Sequence, residues 1–191
     1  VPKLWNETIE AHRAAVRDAI LDAAWALVVE RGLMSVTMAG IAERAAIGRA
    51  TVYKYFTDVE SVLAAWHERQ VAAHLQQLAE IANRPGAAGS RLEAVLAAYA
   101  RILRGRGEHG PDLGALLHRD GQPEHAQRHL ADLVRALLEE GVGSGEFRAD
   151  VPAGELARYC LHALSAAAGM ASEAAVVRLA GVVMSGVAAG G

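Results

Sequence analysis

The sequence predicts an all-α protein. Apolar residues recur at three- and four-residue spacing along most of the chain, and Ala, Leu and Val dominate while aromatic residues make up 5%. No stretch reads as a convincing strand, and about nine helices can be placed. A content of 52% hydrophobic and 21% charged residues describes a folded chain rather than a disordered one. With 191 residues there is room for a small module and a larger one. The expected division is a small helical module over 1–57 and a larger helical bundle over 58–191.

Residues 1–10 read as a frayed lead-in. From Ala11, the positions Ala15, Ile20, Leu21, Ala24, Leu27 and Val28 mark an amphipathic helix that stops at Gly32, with Trp25 read as core. Thr37 can cap a short helix in which Met38, Ile41 and Ala42 share one apolar face. Ala45, Ala46, Ile47 and Gly48 break that pattern. A second short helix follows, with Val52 and Phe56 inward at i and i+4. Thr57 and Glu60 have the spacing of a capping box for a long helix ending near Asn83.

After a loop over 84–90, Ser90 and Glu93 offer another capping box, and Leu92, Val95, Leu96, Tyr99 and Leu103 keep helical spacing. Pro111 can open a short helix with Leu113, Leu116 and Leu117, and Pro123 opens the next, striped by Leu130, Val134, Leu137 and Leu138. Pro152 stands at the first position of a helix carrying Leu156, Tyr159, Cys160 and Leu164. Ser172 caps the last, along which Val176, Leu179, Val183 and Val187 recur.

The two short helices between Thr37 and Phe56 carry the functional signal. Packing Val52 and Phe56 inward leaves Arg49, Thr51, Tyr53, Lys54 and Tyr55 outward, where cationic and hydroxyl donors reach phosphates and base edges. The small Ala50 lets the backbone approach a groove, and Thr37 is placed to touch a phosphate. A net charge of −3 does not announce a nucleic-acid binder. From Arg44 to Thr57, however, there are three cations and no acid, so the field at that face is positive.

The string Thr51-Val52-Tyr53-Lys54-Tyr55-Phe56 resembles the end of the helix-turn-helix in the TetR family of bacterial transcription regulators. The motif likeness covers about the first 65 residues. Gly48 replaces a common capping Ser, Ala46 a common turn Gly, and Val59 a Lys that often touches the DNA backbone, departures that imply a weaker grip. The resemblance implies a ligand-responsive repressor that binds a palindromic operator in double-stranded DNA as a homodimer and is released by a small-molecule inducer. The alternative is a helical sensor, carrier or enzyme without DNA binding.

Other chemistries find no support in the sequence, which reads as a non-enzyme without cofactor. His125 and His129 lie at i, i+4, but no Glu-x-x-His or His-Glu-x-x-His string accompanies them, so no metal is assigned. Nucleophile elbows, phosphate loops and dinucleotide fingerprints are missing. A lone cysteine, Cys160, on an apolar face is expected to be a buried inert thiol and fits a reducing compartment. The longest apolar run, 179–191, is too short and Gly-rich to span a bilayer, so a cytoplasmic protein with no membrane partner is expected.

Small residues at Ala166, Ala167, Ala168, Gly169, Ala180, Gly181, Ser185 and Gly186, amid Leu and Val, predict a homodimer through the helices at 152–168 and 172–188. The helices between 58 and 168 are expected to enclose a mainly apolar inducer. Its lining would come from Trp66, Gln70, Tyr99, Leu103, Leu117, His118 and His162, which combine apolar bulk with a few polar handles.

Overall fold

The computed structural model describes residues 2–108 and 123–190. Helix α1 (Pro2–Arg31) leads through a 3-10 turn (Leu33–Ser35) to α2 (Met38–Arg44), α3 (Arg49–Tyr55) and α4 (Val59–Ala82). Then come α5 (Ala88–Glu108), α6 (Pro123–Gly143), α7 (Ala153–Leu164), a second 3-10 turn (Ser165–Gly169) and α8 (Glu173–Val187). The fold is all-α as expected, and pairing of β type among the described residues is limited to one isolated bridge between Phe147 and Ala188. The short helix expected from Pro111, with Leu113, Leu116 and Leu117, lies outside the described residues.

The chain divides into two compact units, the first running to Gln70 and the second beginning at Val71. In the first unit, Ile20, Leu21, Ala24 and Leu27 of α1 bury against Ile41 and Ala42 of α2, Val52 of α3, and Val62 and Leu63 of α4. Each fully buried Leu, Ile or Val in this set contributes about 1.5–3 kcal/mol of transfer free energy. Arg69 of α4 reaches across to α1, its guanidinium forking onto Asp18 at 2.9 Å and onto Asp22. The indoles of Trp25 and Trp66 stack between the same two helices.

Two expectations for this unit need correction. Helix α1 begins at Pro2 rather than near Ala11. Every residue from Thr8 to Ala15 is exposed, so no apolar stripe marks that stretch, and good helix formers after a proline suited to the first turn sustain it. The cap of α4 also moves one residue on. Asp58 Oδ1 accepts the Ser61 N–H at 2.7 Å and Ser61 Oγ accepts the Asp58 N–H at 3.3 Å, a reciprocal pair one position past Thr57 and Glu60. Thr57 instead donates its hydroxyl to Asp58 Oδ2 at 3.0 Å. A carboxylate is the stronger acceptor at a helix N-terminus, and its charge suits the dipole.

In the second unit α5 packs against α6, α7, the second 3-10 turn and α8. Its Leu92, Val95 and Leu96 are fully buried with Val134 and Leu138 of α6, Cys160 and Leu164 of α7, and Val176, Val183 and Val187 of α8. Helix α5 starts at Ala88, two residues before the Ser90 that was expected to cap it. Glu146, from the loop after α6, accepts the Gly89 N–H at 2.9 Å and caps the helix from far along the chain. The same loop places the buried Phe147 ring against Gly141, where an added Cβ would meet the ring at 2.2 Å. Arg148 N–H to Val187 O (3.0 Å) and Ala189 N–H to Glu146 O (3.1 Å) tie the loop to the end of α8.

The helix expected over 152–168 stops as an α-helix at Leu164 and tightens into the 3-10 turn. Ser165 Oγ donates to the His162 carbonyl at 2.6 Å, a local bond that competes with regular helix continuation. Ser172 caps α8 as expected, its Oγ accepting the Ala175 N–H at 3.2 Å.

Candidate nucleic-acid interface

Helices α2 and α3, each seven residues long, form a helix-turn-helix. Thr37 Oγ1 accepts the Gly40 N–H at 3.1 Å and fixes the start of α2. The turn is a Schellman motif. Ile47 N–H donates to Ala42 O at 3.0 Å and Ala46 N–H to Glu43 O at 3.2 Å. The motif needs a left-handed residue at its C′ position, and Ala46 fills it with φ 54°. A side chain there costs about 1–2 kcal/mol that glycine would avoid. Gly48 follows as N-cap of α3 without a side-chain acceptor.

Helix α3 is held by one face. Val52 is fully buried and Phe56, directly after its last turn, nearly so. Arg49, Ala50, Tyr53 and Lys54 are exposed on the opposite side, while Thr51 and Tyr55 are half-buried at its flanks. Tyr53 stands out at 56% exposure, high for an aromatic residue of a helical core module. Tyr55 leans on the first unit's core, leaving it less of its surface than Tyr53 for a partner.

The charges on this face are not all available. Arg44, one of the three cations counted between 44 and 57, forks onto Glu30 of α1 with bonds of 2.8 and 2.6 Å. That hydrogen-bonded pairing draws the Glu30 carboxyl below its usual range and raises the Arg44 guanidinium. Arg49 and Lys54 have no ion-pair partner among the described residues. Four exposed side chains therefore face outward from a short rigid helix: two uncompensated cations, a phenol, and an alanine small enough for close approach. Such a surface can donate to phosphates and base edges in a major groove.

The residues expected to line a ligand cavity fall in both units. Trp66 lies flat on Trp25 at 3.8 Å between ring centroids, within the first unit, as does Gln70, half-buried near the end of that unit. Tyr99 and Leu103, one turn apart on α5, pack against the core of the second unit. His162 is exposed on α7, with Nδ1 2.9 Å from the Arg158 carbonyl. Leu117 and His118 lie outside the described residues. A separate open depression of about 280 Å³ in the second unit is lined by Glu139, Val142, Ala149, Val151, Pro152 and Ala153. None of the expected lining residues takes part in it, and its volume falls just below the usual range for a small-molecule site.

Cys160 is fully buried and its thiol is pushed up to about 11 by desolvation, which leaves it protonated and unreactive. His125 and His129 are both exposed on α6. Among the described residues no group of three potential metal ligands converges, and no helix is long and apolar enough to cross a membrane.

The fold of the first unit and this face define a helix-turn-helix module. Residues 20–65 match the family model described as bacterial regulatory proteins, tetR family. That match covers α2, α3 and the parts of α1 and α4 packed against them, so the likeness to the tetR family is shown for this module. Among its relatives is an uncharacterised HTH-type transcriptional regulator of Mycobacterium bovis, 39% identical over 66 residues, which are 35% of each chain. The match thus spans about a third of that relative's length. The fatty acid metabolism regulator protein of Bacillus subtilis is 24% identical over 136 residues, 68% of this chain and 69% of that one. A transcriptional regulator of the TetR/AcrR family from Thermobifida fusca YX-ER1 has the same fold, with a TM-score of 0.75 and 24% identity over 89% of this chain and 97% of the other.

Proposed function

We propose that the protein is a ligand-responsive repressor that binds a palindromic operator as a homodimer in the cytoplasm and is released by a mainly apolar small molecule. The observation that carries this reading is the outward face of α3, where Arg49, Ala50, Tyr53 and Lys54 are exposed while Val52 locks the opposite side into the core. Arg49 and Lys54 read base edges, Tyr53, Tyr55 and Thr51 contact phosphates, and Thr37 contributes a phosphate contact from the start of α2.

The homodimer is proposed through α7 and α8. Tyr159, Val177 and Val182 are exposed at 44%, 51% and 65%, beside the small Gly181 and Ser185, which allow close helix approach. An apolar surface of this kind is commonly an interface. A two-fold axis through it is matched by a palindrome whose half-sites lie about 34–36 Å apart.

For the inducer, the supporting residues are Tyr99 and Leu103, half-buried on α5 and pairing an aromatic hydroxyl with aliphatic bulk. The name of the Bacillus subtilis relative, a fatty acid metabolism regulator, agrees with a ligand of apolar character. Selection of bound duplexes from a random pool tests the reading. Enrichment of one palindromic site supports it, whereas recovery of no duplex sequence above the input pool leaves the carrier or enzyme alternative in its place.

A further inference from the structure

Helix α1 brings a second cation to the end of the recognition helix. The guanidinium of Arg17 lies over the Phe56 ring, 5.5 Å from its centroid, and Phe56 is the residue directly after α3. Arg17 is exposed, as is Arg13 one turn earlier on the same face of α1. Neither has an ion-pair partner among the described residues. The acid beside Arg17 in sequence, Asp18, is engaged by Arg69, and so is Asp22.

The contact geometry matters more than the charge alone. A guanidinium held over an aromatic face by cation–π attraction is restricted before any ligand arrives, and its N–H donors remain able to bond a further acceptor. An oriented, uncompensated guanidinium beside the last turn of α3 suits the bidentate pairing that a phosphate offers.

We propose that Arg17, held over Phe56, is a DNA-backbone contact outside the helix-turn-helix, with Arg13 extending the same basic edge along α1. This rests on the DNA-binding reading above. The contact carries no sequence information. It adds affinity uniformly, and it supplements a helix-turn-helix in which Arg44 of α2 is engaged by Glu30 and α3 has no capping hydroxyl at Gly48.

Binding of the full chain to a labelled duplex of random sequence, measured between about 50 and 200 mM salt, tests it. Arg17→Met keeps a long stem against Phe56 and removes the charge, while Arg17→Lys keeps the charge. The expected result is that Arg17→Met weakens binding roughly five- to tenfold per protomer near 0.1 M salt. It also lowers the slope of log K against log salt by about 0.9 for each arginine removed. Arg17→Lys keeps most of that slope, and both variants melt near the wild-type temperature. An unchanged slope in Arg17→Met overturns the inference, and a weakened affinity that tracks only a lowered melting temperature overturns it equally, by assigning Arg17 a structural role. Wild-type protein that binds no duplex would remove the regulator reading itself, and this contact with it.

Discussion

The indole of Trp66 lies flat on that of Trp25, with ring centroids 3.8 Å apart and planes inclined by 13°. The pair joins α4 to α1 inside the first unit, and Arg69 reinforces the same junction through Asp18 and Asp22. The stack makes Trp66 a packing residue of the helix-turn-helix unit. Replacing Trp66 by Ala should destabilise the module by about 2–4 kcal/mol, from lost burial and stacking on a half-buried pair. Trp66→Phe should recover most of that. Thermal melting of the two variants checks it. Equal stability of Trp66→Ala and wild type would show that the stack contributes nothing.

Ala46 sits at φ 54° in the turn between α2 and α3. Ala46→Gly should stabilise the first unit by about 0.5–1 kcal/mol, the relief of left-handed strain exceeding the extra freedom glycine has when unfolded. Ala46→Val should destabilise it, because a β-branched side chain tolerates that region less well. Denaturant unfolding followed by Trp fluorescence, which reports on Trp25 and Trp66, gives the measurement. A glycine variant less stable than wild type would contradict the strain assignment.

Glu146 supplies a pH dependence with a definite sign. The Ser144 hydroxyl, and then the Gly89 N–H, hold its carboxyl below the ordinary value of 4.5. A carboxyl depressed in the folded state contributes stability that is present above 4.5 and is lost as pH falls through the lowered folded value. Unfolding of the second unit should therefore become easier as the solution is acidified below 4.5. Glu146→Gln should make the melting temperature less sensitive to pH over that window. A variant with the same acid dependence as wild type would take Glu146 out of the cap.

The helical class and the helix-turn-helix were readable because their signals are local. Thr37, Ile41, Val52 and Phe56 sit within one short stretch and obey helical spacing. The cap of α5 could not be read, because its acceptor, Glu146, lies 57 residues from Gly89. Asp58 displaced Thr57 as cap of α4 by its charge, although both positions fitted a capping pattern. The first turns of α1 carry no apolar stripe, so periodicity was blind to them. Arg44 looked like a free cation until the fold brought Glu30, fourteen residues away, within 2.6 Å. The stacking of Trp66 on Trp25 was equally hidden, because nothing in its own helix reveals Trp25 as its partner.

The exposed valines of α8 bear on assembly. With Val182 at 65% exposure and Val177 at 51%, Val182→Glu should leave the fold of the single chain intact. The variant should still shift the protein to monomer in light scattering, because burying an unpaired charge at an apolar interface is unfavourable. A dimer that persists unchanged in Val182→Glu would place the interface elsewhere.

In the regulator proposed above, the outward face of α3 reads DNA. Its most direct measurement is the affinity of wild type, Arg49→Ala and Lys54→Ala for a selected palindromic duplex against the same duplex with one altered base pair per half-site. Wild type is expected to bind tightly and with sequence dependence. Each variant should lose about 1–3 kcal/mol of discrimination per half-site at the position its side chain reads, with its melting temperature unchanged. Variants that bind the selected and altered duplexes as tightly and as selectively as wild type would contradict it.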